Sequence, residues 1–347
     1  MNIKRILLIL VLLGLVVGGS FAYMVYSAFF TPNTSFEDKE VFVFIPSDAS
    51  FSDVKKNLGP LLKDVGAFES AAKRKGYTEN IRAGKYRLVK GMNNNELINN
   101  LRVGNIPVKV AFNNQETLAD LAGRISDQIE ADSISLLNAF RDTDFLSENK
   151  MDLDTSLALY VPNSYEFFWN TDAVEFRTRM LTEYNRFWTD ARKTKAKALG
   201  LTQNEVVTLA SIVHKETAKI DERPKVAGLY LNRLRTGMLL QADPTVIYAI
   251  KKETGNFDTI IKRVLYKDLE IESPYNTYKN AGLPPGPITM PDISAVDGVL
   301  NPEKHNYFYM VANVENFGYH MFAKDLAQHG RNKVQYVRWI NAQKIKR

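Results

Sequence analysis

The sequence predicts an α+β protein: an N-terminal transmembrane helix, a small α/β module, and a larger mixed α/β domain. Three observations carry this. An uncharged run from Ile6 to Thr31, dominated by Leu, Val, Ile, Phe and Tyr, follows Lys4 and Arg5. Two strand-like runs, Val41–Ile45 and Ile106–Phe112, each open a series of helix-like stretches. A pair of aromatic strand-like runs then comes shortly before the C-terminus. The 347 residues permit two or three units beyond an anchor, and the balance of 45% hydrophobic and 24% charged residues is that of a folded protein. A net charge of +6 gives weak attraction to anionic polymers at most. Cysteine is absent, which excludes disulfides and thiolate chemistry.

Residues 6–31 are long enough to span a bilayer as helix, since a hydrocarbon core takes about 20 residues. A cleaved signal peptide would have a shorter apolar region, and here the run continues past the weak small-residue site Gly18–Ala22. The reading is a retained single-pass anchor. The basic residues before the span put residues 1–5 in the cytoplasm and the bulk of the chain outside. Tyr23, Tyr26, Phe29 and Phe30 can mark the outer interface.

Residues 32–40 read as a tether. The module at 41–105 combines strand Val41–Ile45, helices over Phe51–Leu62 and Phe68–Lys75, strand Gly84–Val89 and helix Asn93–Leu101. Residues 106–347 form the larger region, with an N-terminal subdomain to about 200. In it, Ile106–Phe112 alternates as a strand. Glu116–Ser126 places Leu118, Leu121, Ala122 and Ile125 on one helical face. Asp132–Arg141 and the stretch near Leu157 are further helical pieces. Tyr160–Trp169 joins a proline turn to dense aromatics, including Tyr165. Such faces stack on sugars as well as they pack in cores. Glu175–Lys197 reads as one helix burying Met180, Tyr184 and Phe187, with a solvated basic tail from Arg192.

Leu201–Tyr248 is the centre of the chain. Thr202 and Glu205 have capping-box spacing, and Val206, Leu209, Ala210 and Val213 share a helical face. Glu216 falls two turns beyond Leu209, at the edge of that face. A carboxylate there can sit half-buried at the lip of a groove, where its pKa rises and it suits general-acid work. Asp243-Pro244 reads as a helix start with aspartate as the cap. Gly282–Pro287, with three prolines and two glycines, is a rigid loop. Asp292–Leu300 is a short helix, Tyr307–Ala312 and Phe317–Phe322 pair across a turn containing Asn316, and Lys324–Lys344 is helical with Val334, Val337 and Ile340 on one side.

The chemistry narrows by exclusion. His214, His305, His320 and His329 form no recognised metal-ligand spacing. No G-x-S-x-G elbow, phosphate loop or dinucleotide fingerprint is present, so neither serine chemistry nor a cofactor is indicated. No nucleic-acid signature appears. Carboxylate chemistry remains, with Glu216 as the candidate acid. Asp221 and Glu222 read as surface groups or caps. Asn232, Gln241 and Arg233 can hydrogen-bond an oxygen-rich ligand or fasten the fold. His214, two positions before Glu216, lies off its face, at a groove rim or on the surface.

The segments ASIVHKET (210–217), VAGLYLNRLRTGMLLQADPTVIYA (226–249), YNTYKNAGLPPGPITMP (275–291) and NYFYMVANVENFGYHMFAKDLAQH (306–329) together resemble the endolytic murein transglycosylase (YceG-like) family. ALYVPNSYEFF (158–168) resembles a further family segment more weakly. The resemblance implies a membrane helix, a LysM-like module over 41–105 and a YceG-like catalytic region outside the cytoplasmic membrane. It places the catalytic glutamate on Glu216 and implies substrate contacts at Asn232, Gln241, Asp243, Tyr165 and His214, with no cofactor and no metal. Implied partners are peptidoglycan glycan strands, peptidoglycan synthases, and the membrane through residues 6–31. The implied reaction cleaves the N-acetylmuramic acid–N-acetylglucosamine β-1,4 bond within strands, leaves 1,6-anhydro ends, and terminates nascent glycan elongation. Four positions depart from the family pattern: His214, where many members carry glutamate, Asn163, where aspartate is expected, and Met290 and Asp292 after the proline loop. A hydrolase using water and a membrane-anchored wall-binding scaffold stay open as alternatives.

Overall fold

The computed structural model describes residues 3–342. Residues 1–2 of the expected cytoplasmic segment and 343–344 of the expected last helix lie outside the described residues. The chain packs as two compact units. One runs up to Val110 and takes in Gln128–Ala131 and Tyr165–Asp172; the other holds Ala111–Asp127, Asp132–Ser164 and the chain from Ala173 onward.

The first unit begins with α1 (Ile3–Phe30), 28 residues with none buried. It is the one described helix long and apolar enough to cross a membrane. At 1.5 Å per residue it reaches roughly 42 Å, more than a hydrocarbon core of about 30 Å. Its last turns are fastened to the unit: Asn94 Nδ2 donates to the Ala28 carbonyl at 2.7 Å, and Phe29 packs against the core. β1 (Glu40–Ile45), α2 (Phe51–Leu58), α3 (Val65–Arg74), β2 (Gly84–Val89) and α4 (Asn94–Val103) follow. β1 and β2 pair antiparallel, with Glu40 opposite Val89 and Ile45 opposite Gly84. Val43, Ile45, Val54, Leu58, Phe68, Leu88, Leu97 and Leu101 form the core between this hairpin-like sheet and the helices. The helix expected to Leu62 stops at Leu58, because Pro60 has no N–H to continue the ladder, and Gly59–Leu61 tightens to a 3₁₀ turn. α3 starts before Phe68 because Asp64 caps it, accepting from the Ala67 N–H at 2.8 Å.

β3 (Pro107–Phe112) pairs with a later strand. In the second unit α5 (Leu118–Ser126) is boxed by Thr117 and Asp120. α6 (Ser133–Phe140) is capped by Asp132 and α7 (Thr143–Glu148) by Asp142. The stretch near Leu157 is a 3₁₀ turn, Ser156–Leu159. The aromatic tract is β4 (Asn163–Phe168), the partner of β3. The single helix expected over Glu175–Lys197 is two, α8 (Ala173–Phe187) and α9 (Asp190–Ala198). Trp188 turns into the core between them, 1% exposed, and Thr189 caps α9. The basic tail is also not simply solvated, since Arg192 pairs with Asp297 at 3.0 Å.

α10 (Gln203–Glu216), α11 (Arg223–Thr236) and α12 (Asp243–Thr254) come next. α13 (Ile293–Leu300) packs against both α10 and α11. Eight consecutive residues of α10, Val206–Val213, are covered, whereas α12 buries only Thr245, Val246 and Ala249. β5 (Tyr309–Ala312) and β6 (His320–Ala323) form an antiparallel hairpin that pairs Ala312 with His320. Both strands are shorter than expected. α14 (Leu326–Ala342) packs on the hairpin, with His329 stacked on Tyr309 at 5.2 Å, and leaves Val334 and Val337 exposed.

Candidate active site

The capping box read from the sequence fixes where α10 starts: Glu205 receives the Thr202 N–H at 2.7 Å, and the Glu205 N–H donates to Thr202 Oγ1 at 3.2 Å. The helix then ends on Glu216, with Thr217 already extended. The carboxylate therefore sits at the negative end of the helix dipole. It lines a cleft of about 210 Å³ with Tyr230, Arg233, Gln241, Asp243, Tyr278 and His320.

Burial pushes the Glu216 carboxyl above its ordinary range, and the Asp243 charge adds to this. Tyr230 opposes it by donating a 2.6 Å hydrogen bond to Oε1, and His320 and Arg233 oppose it by charge. Burial wins. The result is a carboxyl that holds its proton to higher pH than a surface glutamate, with a hydroxyl already in place to stabilise the anion. Tyr230 is 1% exposed and its own hydroxyl is pushed well above the usual tyrosine range by burial, so it stays a neutral donor.

Asp243 does not cap α12. Ala242 holds the cap position and Asp243 lies in the first turn, where its Oδ1 accepts from the Tyr278 hydroxyl at 2.5 Å. Gln241 enters the cleft from a left-handed backbone, φ 46°, a conformation that costs a non-glycine residue about 1 kcal/mol or more. Its N–H donates to the Thr277 carbonyl at 3.0 Å, while its side-chain amide has no protein partner among the described residues. Arg233 threads under the floor, donating to the carbonyls of Phe308 at 2.7 Å and Leu240 at 2.6 Å.

Three other candidates lie outside the cleft lining. Asn232 is buried, and its Nδ2 donates to the carbonyls of His305 at 2.9 Å and Tyr307 at 3.0 Å, so it fastens the chain that enters β5. His214 packs with Arg223 and Asp292, its Nδ1 3.3 Å from Asp292 Oδ2, and burial lowers its pKa. Two departures from the family pattern, His214 and Asp292, thus touch each other. Tyr165 lies on β4 in the first unit.

Sequence reasoning missed Tyr230, Tyr278, His320 and Glu222. Glu222, expected as a surface group or a cap, does hold the cap position of α11 but makes no side-chain cap bond there; it is 5% exposed and receives the His320 N–H at 2.6 Å. One helix-spacing signal was available: Tyr230 lies three residues before Arg233, so both present the same face of α11. His320 and Tyr278 fall within the resembling segments 306–329 and 275–291, but no periodicity or spacing marked them, since they reach the cleft through tertiary packing. Among the described residues no group of three or more His, Asp or Glu could hold a metal ion.

Comparison with known proteins bears on this geometry. A family profile described as the YceG-like family matches residues 43–335. A Bacillus subtilis protein named endolytic murein transglycosylase is 30% identical over 343 residues, 93% of this chain and 91% of its own length. A Streptococcus pneumoniae protein of the same name is 29% identical over 351 residues, 92% of this chain and 62% of its own length. A crystal structure of a YceG-like protein from Listeria monocytogenes superposes with a TM-score of 0.57 at 28% identity, covering 85% of this chain and 99% of that one. Through that match from Val43 nearly to its C-terminal end, the chain belongs to the YceG-like family.

Proposed function

We propose that this protein is an endolytic lytic transglycosylase that cleaves the N-acetylmuramic acid–N-acetylglucosamine bond within peptidoglycan strands and leaves 1,6-anhydro ends. The observation that carries the reading is a carboxyl with a raised pKa, hydrogen-bonded by a buried tyrosine, in an open polar cleft. Relatives named endolytic murein transglycosylase supply the substrate class.

Glu216 donates its proton to the glycosidic oxygen. The bond from that oxygen to muramic C1 breaks, and the electron pair leaves with the N-acetylglucosamine hydroxyl. Positive character develops at C1, facing a carboxylate steadied by Tyr230. That carboxylate takes the proton from the C6 hydroxyl as O6 closes on C1, and Glu216 is again protonated. One carboxylate serves both steps because they are sequential, and an intramolecular nucleophile spares the cleft from placing a water. Gln241, with its free amide, is positioned to hold the sugar acetamido or hydroxyl groups. Asp243 is the feature that favours the alternative, a hydrolase, because a second carboxylate in the cleft could activate water.

The lesser assignments follow the same reading. α1 is a single-pass anchor with its N-terminus in the cytoplasm. The β1-α2-α3-β2 arrangement is a LysM-like module that holds glycan. The cut made near the membrane terminates growing strands beside peptidoglycan synthases. Glu216→Gln tests the central assignment. The folded variant is expected to lose roughly 10²–10⁴-fold in strand cleavage, the range for a removed general acid. Undiminished cleavage would remove Glu216 from the chemistry.

A further inference from the structure

His320 lines the Glu216 cleft yet has no part in the steps above. It is the first residue of β6 and pairs with Ala312 in the hairpin. Each oxygen of Glu222 contacts it. Oε1 accepts the His320 backbone N–H at 2.6 Å, and Oε2 lies 3.0 Å from Nδ1. A backbone bond alone would fasten the strand; the second contact fixes the ring and makes Nδ1 the donor. Nε2 has no protein hydrogen-bond partner among the described residues. A histidine clamped at one nitrogen and open at the other is held for its charge or its free edge.

The surroundings of Glu216 call for a positive charge. Once its proton leaves, the cleft contains a desolvated carboxylate at a helix C-terminus with Asp243 nearby, an arrangement that is costly without a cation. Facing it are Tyr230 and Arg233 from α11, Asp243 from α12, Tyr278 from the segment before the proline loop, and His320 from β6. Arg233 is tied to three backbone carbonyls. We infer that His320, clamped by Glu222, is a positioning residue whose imidazolium stabilises the carboxylate left when Glu216 gives up its proton. This rests on the role proposed above for Glu216. The charged groups acting on His320 are Glu222 and Glu216; burial opposes its protonation, but the two carboxylates outweigh burial and hold the ring above the ordinary histidine range. On the Glu222 side, burial is outweighed in turn by the bonds from His320, with a further one from Thr217, which hold that carboxyl below its ordinary range.

The test uses the full chain in detergent. Strand cleavage is followed by product quantification between about pH 5 and pH 9 for wild type, His320→Gln and Glu216→Gln. Loss of the imidazolium is expected to lower the rate roughly 10–100-fold and to move the alkaline limb, where Glu216 loses its proton, about one pH unit higher. A role confined to holding the hairpin lowers the rate without moving the limb. A fixed limb, or a rate within about twofold of wild type, overturns the inference. Should His320→Gln not fold, the ring titration of His320 is read by NMR in wild type and Glu216→Gln. Coupling is reciprocal, so its midpoint must fall in Glu216→Gln, and an unchanged midpoint overturns the inference. Full activity in Glu216→Gln removes the role of Glu216 and this one with it. An inactive Glu216→Gln beside a wild-type-like His320→Gln removes only this one.

Discussion

At Glu216 two effects of opposite sign meet on one carboxyl, and their balance is measurable. Burial raises its proton affinity and the Tyr230 hydroxyl lowers it. Tyr230→Phe removes only the second, so the alkaline limb of the cleavage profile is expected to move to higher pH while the maximal rate falls about tenfold. A limb that stays in place would mean that the hydrogen bond does not act on the proton. The same residue links activity to stability. A carboxyl whose folded pKa is raised above its unfolded value contributes stability that is fully present below the unfolded value and is lost as pH rises through the folded one. Glu216→Gln removes that loss. The variant is expected to match wild type in thermal melts near pH 4 and to exceed it near pH 8, by about 1.4 kcal/mol for every tenfold by which folding strengthens proton binding at Glu216. Equal melts at both pH values would contradict the raised pKa. Glu216 was legible in the sequence because the 3.6-residue period puts it at the edge of an apolar face. Tyr278 and His320 lie in segments that resemble the family, yet their meeting at Glu216 was not legible, because no periodicity encodes a contact made by a loop and a distant hairpin. Asp243 was misread as a cap because Asp-Pro is a strong helix-start signal. The structure moves the start back by one residue and frees the carboxylate for Tyr278.

Among the elements, the pair α10–α11 sets the cleft and the hairpin β5–β6 closes one side of it. Arg233 and Asn232 join α11 to that hairpin through the carbonyls of Phe308, His305 and Tyr307. Asn232→Ala removes the partner of two partly buried carbonyls and is expected to destabilise the protein by roughly 1–3 kcal/mol. Activity is expected to fall in step with the folded fraction, leaving KM for glycan unchanged in the protein that remains folded. A raised KM at unchanged stability would instead make Asn232 a substrate contact. Gly228 shows how close this packing is: a Cβ there would collide with the Glu303 carbonyl oxygen. Helices were the most legible elements, since Thr202, Asp132 and Asn93 announce their starts and apolar spacing their faces. The errors fell where tertiary contacts override local preference. Trp188 leaves the helical path to enter the core and splits α8 from α9, and the tract at 163–168 becomes a strand because β3 offers it a partner.

For the whole molecule, chain order was the legible property: an apolar helix, a small α/β unit, then a larger helical unit ending in a hairpin and a helix. What the sequence could not show is that the boundary is not a single cut. Gln128–Ala131 and Tyr165–Asp172 return to the first unit, through contacts such as the Glu130 N–H on the Trp169 carbonyl at 2.8 Å and Ser47 Oγ on Glu130 at 2.6 Å. A compositional reading follows the chain linearly and has no means of seeing such a return. On the proposed reading, α1 keeps the cutting unit close to the membrane, and the single-carboxylate mechanism makes a definite demand on the products. The most direct test digests long, uncrosslinked glycan strands with the full chain in solvent labelled with heavy oxygen, followed by mass spectrometry of the new ends. The account predicts internal cuts leaving 1,6-anhydro-N-acetylmuramic acid, one water lighter than a reducing end and free of solvent label. Reducing ends that carry the label would contradict it.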